Sequence, residues 1–326
     1  MAGELWRGYF QAGKETTAGT SVAATRRMYF TPDSSFTRER EARARRFSTG
    51  SRDNVRAFTN GPVVVGGTVK TPLSASEIIE LLLMGIKGGV TPTGASTPKL
   101  WTFVPGTSLD AATIEWYDGA RGWDIGGCYA DSLKFSGSAN GEAMVEAAIF
   151  GMNMEIATPT TSLSERVPDF IEGWETKLYV DSFGGTAGST AASGVLVNWE
   201  VEITNGLGRK YFADNTKNAG AITINELEVK AKLTYEASAT AAATEFANFD
   251  AATKRLVRLE FGQNEVISGS DKKFVTIDIP GAWEAVNLGG TDENTRVYEL
   301  SLQYVYDTTN AYGVQIRAQN ARATAW

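Results

Sequence analysis

Two carboxylate pairs are the residues best spaced for chemistry: Asp118 with Asp124 in "WYDGARGWD", and Glu200 with Glu202 in "VNWEVEIT". A glycosidase uses such a pair, one acid to protonate the leaving oxygen and one carboxylate to attack or activate water, ~5–9.5 Å apart in a cleft. The contexts argue otherwise, since the first pair brackets a turn and the second lies on one side of an alternating strand. "FGGTAGST" (183–190) is rich in glycine, yet it lacks the lysine of a phosphate loop and no helical pattern follows. Histidine is absent and Cys128 is the single cysteine, so His-based triads, zinc and haem ligand sets and internal disulfides are excluded. Cys128 reads as a small buried residue. The residues imply no enzyme, no cofactor and no metal.

Binding is the next possibility. Nine arginines fall between 26 and 56, densest in "RERE ARARRF": Arg38, Arg40, Arg43, Arg45 and Arg46. Alone, the stretch reads as a nucleic-acid arm, but Glu39 and Glu41 interrupt it and aromatic residues for stacking are limited to Phe36, Phe47 and Phe58. An arm that reaches a neighbouring subunit or ring, with arginines meeting acidic partners, is the preferred reading; a solvated surface and a DNA contact are its alternatives. Trp101, Trp116 and Trp123 could stack on sugars if exposed, or pack in a core.

Such residues must be positioned by strands. The chain has 326 residues, 42% hydrophobic and 21% charged, with 34 glycines and a formal charge of −7, which opposes whole-surface binding to a phosphate backbone. The first residues lack a signal-peptide pattern and no run reaches the ~20 apolar residues of a membrane helix. Period-2 segments recur, with Asn-Gly turns at 140–141 and 205–206. In "VNWEVEIT", Val197, Trp199, Val201 and Ile203 point one way and Asn198, Glu200, Glu202 and Thr204 the other, before Asn205-Gly206 reverses the chain. One helix has clear local signals: Ser74 as N-cap, Glu77 three residues on, the staple Leu73–Ile78, and Gly88-Gly89 as stop. Its Ile78, Leu81, Leu82 and Ile86 form one apolar face.

The chain also repeats itself. "VVVGGTVKTPLS" from Val63 aligns with "LEVKAKLTYEAS" from Leu227, each an alternating strand feeding a helix, with Phe246 of "SATAAATEFANF" in the place of Leu82. "TIEWYDG" (113–119) then aligns with "LVRLEFG" (256–262), "DSLKFSG" (131–137) with "VTIDIPG" (275–281), and each half closes with a further strand. "RMYF" (27–30) matches "KLYV" (177–180). The expected organisation is a first domain over 1–156, with an arm at 31–60 and an insertion at 89–107, a linker over 157–173 with Pro159 and Pro168, and a second domain over 174–326. The insertion and the polar segment after Asn310 read as parts that order only against a partner.

The order of "GTSVAATRRMYF", "VVVGGTVKTPLSASEIIELLL", "YADSLKFSGSANGE", "TKLYVDSFGGTAG" and "VLVNWEVEITNGLGRKYF" resembles the tail tube proteins of long-tailed bacteriophages, in the large form with two tube domains. The resemblance implies a mainly β fold with short helices: two tandem β-sandwich or barrel domains, each with one flanking helix. It implies a structural virion protein, assembled in the host cytoplasm, that stacks in rings around the channel for the genome. Six tube domains per ring would mean three chains as a pseudo-hexamer, with a ring of six chains as the alternative. Its partners would be its own copies and the tape measure, tail terminator and distal tail proteins, with double-stranded DNA in transit and no membrane. Glu200, Glu202 and Thr204 would then face the channel, or else an exterior sheet surface. The rival reading is a decoration or carbohydrate-binding β-protein.

Overall fold

The alternating segments do form strands, eighteen of them among the residues described by the computed structural model, 5–167, 169–238 and 240–326. Pro168 of the expected linker, the first four residues and Ala239 of the second predicted helix lie outside the described residues. The first part of the chain gives β1 (Tyr9–Lys14), β2 (Arg26–Met28), β3 (Ser35–Arg46), β4 (Val55–Pro72), α1 (Ile78–Gly85), β5 (Lys99–Phe103), β6 (Ala112–Tyr117), β7 (Gly122–Ser138), β8 (Met144–Gly151) and β9 (Asn153–Ile156). The second gives β10 (Lys177–Ser182), β11 (Leu196–Thr204), β12 (Gly208–Lys210), β13 (Ala221–Thr223), β14 (Glu228–Glu236), α2 (Thr240–Asp250), β15 (Arg255–Ser268), β16 (Asp271–Asp292), β17 (Thr295–Tyr304) and β18 (Gln315–Asn320). The fold is mainly β with two short helices, and sixteen strands join in one antiparallel network.

Hydrogen-bonded order is the same in both parts. One runs β1-β6-β7-β8-β4-β3 and the other β10-β15-β16-β17-β14-β11. A β-bulge interrupts β7 between Ala130 and Ser132, and another interrupts β16 between Trp283 and Ala285; an extra residue at a bulge re-aims the strand. Pairing places "DSLKFSG" against Glu284–Gly290 instead of "VTIDIPG", because Leu133 lies opposite Ala147 while Val286 lies opposite Leu300. β10 likewise corresponds to β1 and not to "RMYF", since β1 pairs with β6 as β10 pairs with β15. Short strands of similar composition match by residue type in several frames, and only their partners choose between them.

The two parts are fastened edge to edge. β11 pairs with β14 on one side and with the far half of β7 on the other, from Asn198 opposite Ser138 to Thr204 opposite Ser132. Gly206 has φ +58, as a turn requires, but Asn205-Gly206 does not make a two-residue hairpin. The chain first forms a lobe over 207–227 before β14 returns. Asn205 instead donates its side-chain amide to the carbonyls of Gly85 (2.6 Å) and Ala130 (2.9 Å), tying the lobe to α1 and β7.

Tertiary contacts also revise the helices. Ser74 Oγ accepts the N–H groups of Ser76 and Glu77 at 3.1 Å each, but it caps a preliminary turn and the helix begins at Ile78. Glu77 turns to Arg166 at 2.8 Å instead of closing a capping box, and Asp169 accepts the hydroxyls of Ser74 and Ser76. All eight residues of α1 are buried, so it has no polar outer face. The segment after Asn310 covers that side. Asn320 donates to Ala75 O at 2.6 Å, and Arg322 reaches Ser76 O and Glu80. In α2 the core side is Ala242, Glu245 and Phe249, while Phe246 is 37% exposed and is not the counterpart of Leu82.

Neither segment expected to await a partner is loose. β5, inside the insertion, pairs with β18, from Ile316 opposite Phe103 to Asn320 opposite Lys99, and β18 continues onto β16. Trp101 and Phe103 of β5 are 1% and 0% exposed. Two aromatic side chains supply enough apolar area to order a strand that glycine-rich flanks would leave free.

Candidate assembly surfaces

Trp199, Val201 and Ile203 are buried as alternation requires, and Glu200, Glu202 and Thr204 stand on the solvent side of the sheet. Residues opposite one another share a face. This one crosses six strands. Glu200 lies opposite Lys232 and Ser136, Glu202 opposite Lys230 and Lys134, and Thr204 opposite Glu228 and Ser132. Ion pairs lace it: Lys134–Glu200 (2.8 Å), Lys230–Glu228 (2.7 Å), Lys232–Glu299 (3.5 Å) and Lys70–Glu146 (3.4 Å). The hydrogen bond to Glu200 holds the Lys134 ammonium above its usual range. Pairs this exposed add little stability, but they set the character of the surface. It is polar and nearly charge-balanced instead of a run of unopposed carboxylates.

The arginines divide between two places. Arg26 reaches buried Glu80 at 3.0 Å, and Arg27 lies over the Tyr9 ring at 4.5 Å and pairs with Glu165. Arg38, Arg40, Arg43, Arg45 and Arg46 are exposed along β3, which extends with β4 as a hairpin past the body of the sheet. Arg43 grips Glu41 through Nε (2.9 Å) and Nη2 (2.7 Å), Arg45 contacts Thr59, and Arg46 contacts Asn54. Phe47 and Phe58 are 56% and 71% exposed near the tip, while Phe36 is buried at the base. Arg38 and Arg40 line a cavity of about 310 Å³ with Lys217 of the lobe.

The residues once eligible for catalysis are engaged in architecture. Asp118 accepts N–H groups from Ala120 (2.8 Å), Arg121 (2.7 Å) and the Trp123 indole (2.8 Å). Burial raises its carboxyl, but these hydrogen bonds outweigh it and hold the group below the usual range. Asp124 is pushed up to about 6 by burial, then by Glu115 and Glu155. In "FGGTAGST" the backbone N–H groups of Gly188 (2.7 Å), Ser189 (3.2 Å) and Thr190 (2.7 Å) hold the Asp181 carboxylate, so the loop binds an anion of its own chain. Cys128 is fully buried and burial pushes its thiol well up. Trp101 is in the core, Trp116 stacks on Phe10 at 5.9 Å, and Trp123 is tied to Asp118; none offers an open sugar platform.

The lobe after β11 shows how one repeat grips the next. Asn205 N–H and Leu207 N–H donate to the Asp131 carbonyl (2.8 Å) and carboxylate (2.6 Å), at the β7 bulge. Arg209 lies over the Phe150 ring at 3.9 Å and Tyr211 donates to Val63 O at 2.9 Å. The equivalent positions at the other end of the chain are open. Among the described residues, β3 pairs only with β4, and β16 beyond Gly281 pairs only with β17. A family model described as phage tail tube protein matches residues 6–312. The chain belongs to the phage tail tube protein family. No curated protein matches it. Membership makes it a structural protein of the phage tail, one that self-assembles and associates with other tail proteins. Among the described residues no helix is long and apolar enough to cross a membrane. Sequence reasoning for this tail tube protein singled out β11 and the arginines but overlooked the open run Glu284–Gly290, where "EAVNLGG" alternates weakly.

Proposed function

We propose that this chain polymerises as stacked rings into the phage tail tube and lines the channel through which the genome leaves. One observation carries the reading. Two stretches with the same strand order are already joined through β7 and β11, and among the described residues one edge of each kind, β3 and the end of β16, has no further strand partner. Open edges invite pairing with another chain, and a heterologous contact that closes makes a ring. The chain acts as two tandem tube domains, 1–156 and 174–326 with a linker over 157–173, so three copies supply the six domains of a ring, assembled in the host cytoplasm. Tape measure, terminator and distal tail proteins then meet the tube's interior and ends.

The face bearing Glu200, Glu202 and Thr204 lines the channel. Binding of DNA gains its affinity from cations displacing counterions, and a face whose lysines are matched by glutamates offers few unpaired cations to retain it. Changing Glu200 and Glu202 to lysine takes from Lys134 its ion-pair partner and adds two cations to the face, while Glu228 and Glu299 stay engaged with Lys230 and Lys232. Tubes should still form, and DNA should leave them more slowly at low salt, with the delay fading as salt rises. Ejection indistinguishable from wild type at low salt would remove these residues from the channel. The arginine hairpin serves contacts between subunits or rings. Electron microscopy of the purified chain tests the whole reading: rings or tubes are expected, and replacing 41–59 by a short turn should leave folded chains that stack poorly. Single compact particles at high concentration would end it.

A further inference from the structure

The internal junction gives the register of the external one. Across β4, Phe36 lies opposite Gly67 and Arg38 opposite Val65; across β14, Val201 lies opposite Ala231 and Ile203 opposite Val229. β3 is therefore the positional equivalent of β11, with Thr37 in the place of Glu202. Through β8 and β17 the same comparison puts Val286 at Leu133 and Asn287 at Lys134, since Lys134 faces Glu146 while Asn287 faces Glu299. Glu284 then occupies the bulge position of Asp131.

The open copies of these positions have the features an interface needs. Phe135, opposite Val201 of β11, is 1% exposed, whereas Leu288, next in line after Asn287, is 47% exposed with β17 on one side and, among the described residues, no strand on the other. Glu284 is exposed where Asp131 is engaged, and the facing edge brings Arg38 and Arg40, both exposed. A carboxylate on one border and two guanidinium groups on the other suit a second copy of this chain.

Resting on the tube reading, we infer that β3 of one copy adds antiparallel to β16 of the next, with Thr37 opposite Asn287, Arg38 opposite Val286 and Glu39 opposite Ala285. Glu284 accepts from the arriving strand around Arg40, as Asp131 accepts from Asn205 and Leu207 within the chain. Leu288 is covered in the process. The sheet thus runs from copy to copy by the contact that joins the two parts of one copy.

Directly opposed residues of an antiparallel pair lie about 4.5–5.5 Å apart at Cα, within disulfide reach. The full chain carrying Thr37→Cys and Asn287→Cys is oxidised with diamide, which takes up the two electrons and two protons released by each thiol pair; native Cys128 is buried. Covalent dimers and trimers are expected on a non-reducing gel. Either single variant should give none, and Thr37→Cys with Ala285→Cys, two residues out of register, at least about fivefold less. Rings without matched cross-links, or stronger linking by the shifted pair, overturn the register while the tube reading stands. A monomer with neither rings nor cross-links overturns both.

Discussion

Replacing Arg322 by alanine is expected to cost up to about 3–5 kcal/mol at pH 9, the range for taking a partner from a buried charge, and distinctly less at pH 5. Arg26 stays 3.0 Å from the same carboxylate and lessens the loss. Glu80 is fully buried in α1 between Arg26 and Arg322. Burial pushes its carboxyl from 4.5 up to about 8, against the pull of Arg26 and Arg166, and the contact with Arg322 pulls the same way as theirs. An acid whose folded value is raised binds its proton more tightly in the folded chain. Its contribution is full below about 4.5 and is lost as pH rises through about 8. Above that window the ion must be carried inside the fold, and removing a cation then hurts most. At pH 5 the variant loses hydrogen bonds from Arg322 to the carbonyls of Ser76, Thr324 and Ala325 and to the neutral Glu80 carboxyl, without the penalty of a buried ion. Urea unfolding at both pH values measures this. Glu80→Gln in the same chain should recover most of the loss at pH 9; equal losses at the two pH values would mean that Arg322 acts only by pinning the backbone.

Trp101→Ala should also cost about 3–5 kcal/mol, as expected for a large aromatic removed from a core that cannot collapse around the gap. Trp101 is 1% exposed, stacks on Phe103 with centroids 6.4 Å apart, and donates its indole N–H to Arg322 O at 3.2 Å. The strand that carries it, β5, is held by β18 and by a single bridge from Leu100 to Thr93, so its loss should release both strands and uncover α1. Hydrogen exchange should then quicken over 99–103, 315–320 and α1 together, while β11 and β14 stay protected. Trp6→Ala, at a site 77% exposed, is the control and should change stability by less than ~0.5 kcal/mol. A small loss for Trp101→Ala, with exchange unchanged, would restore the insertion to a dispensable loop. A tube protein has reason to hold this region firmly, since both the insertion and the last residues fasten one repeat to the other.

Much of the sheet was legible because period-2 burial is a property of a few consecutive residues. Trp199, Val201 and Ile203, and Val229, Ala231 and Leu233, needed no partner to reveal which side faces inward. The strand–helix–strand order was legible for the same reason. Pairing was not: "DSLKFSG" matches "VTIDIPG" by type, but Leu133 and Val286 are equivalent through the strands beside them. Glu77 and Glu200 were likewise given roles by local rules, and each is claimed by a cation from far along the chain, Arg166 and Lys134.

By itself the sequence determined that this protein is a mainly β chain without histidine, repeated along its length and akin to the tail tube family, because composition and short-range alternation are written residue by residue. The tertiary structure alone decided that β5 and β18 are core strands, that α1 is covered on every side, and that β3 and the end of β16 are, among the described residues, left with one strand partner each. Each of those outcomes depends on which of several equally alternating strands becomes the neighbour. That choice is made by packing between residues more than two hundred positions apart, such as Trp101 and Arg322, and no local pattern records it.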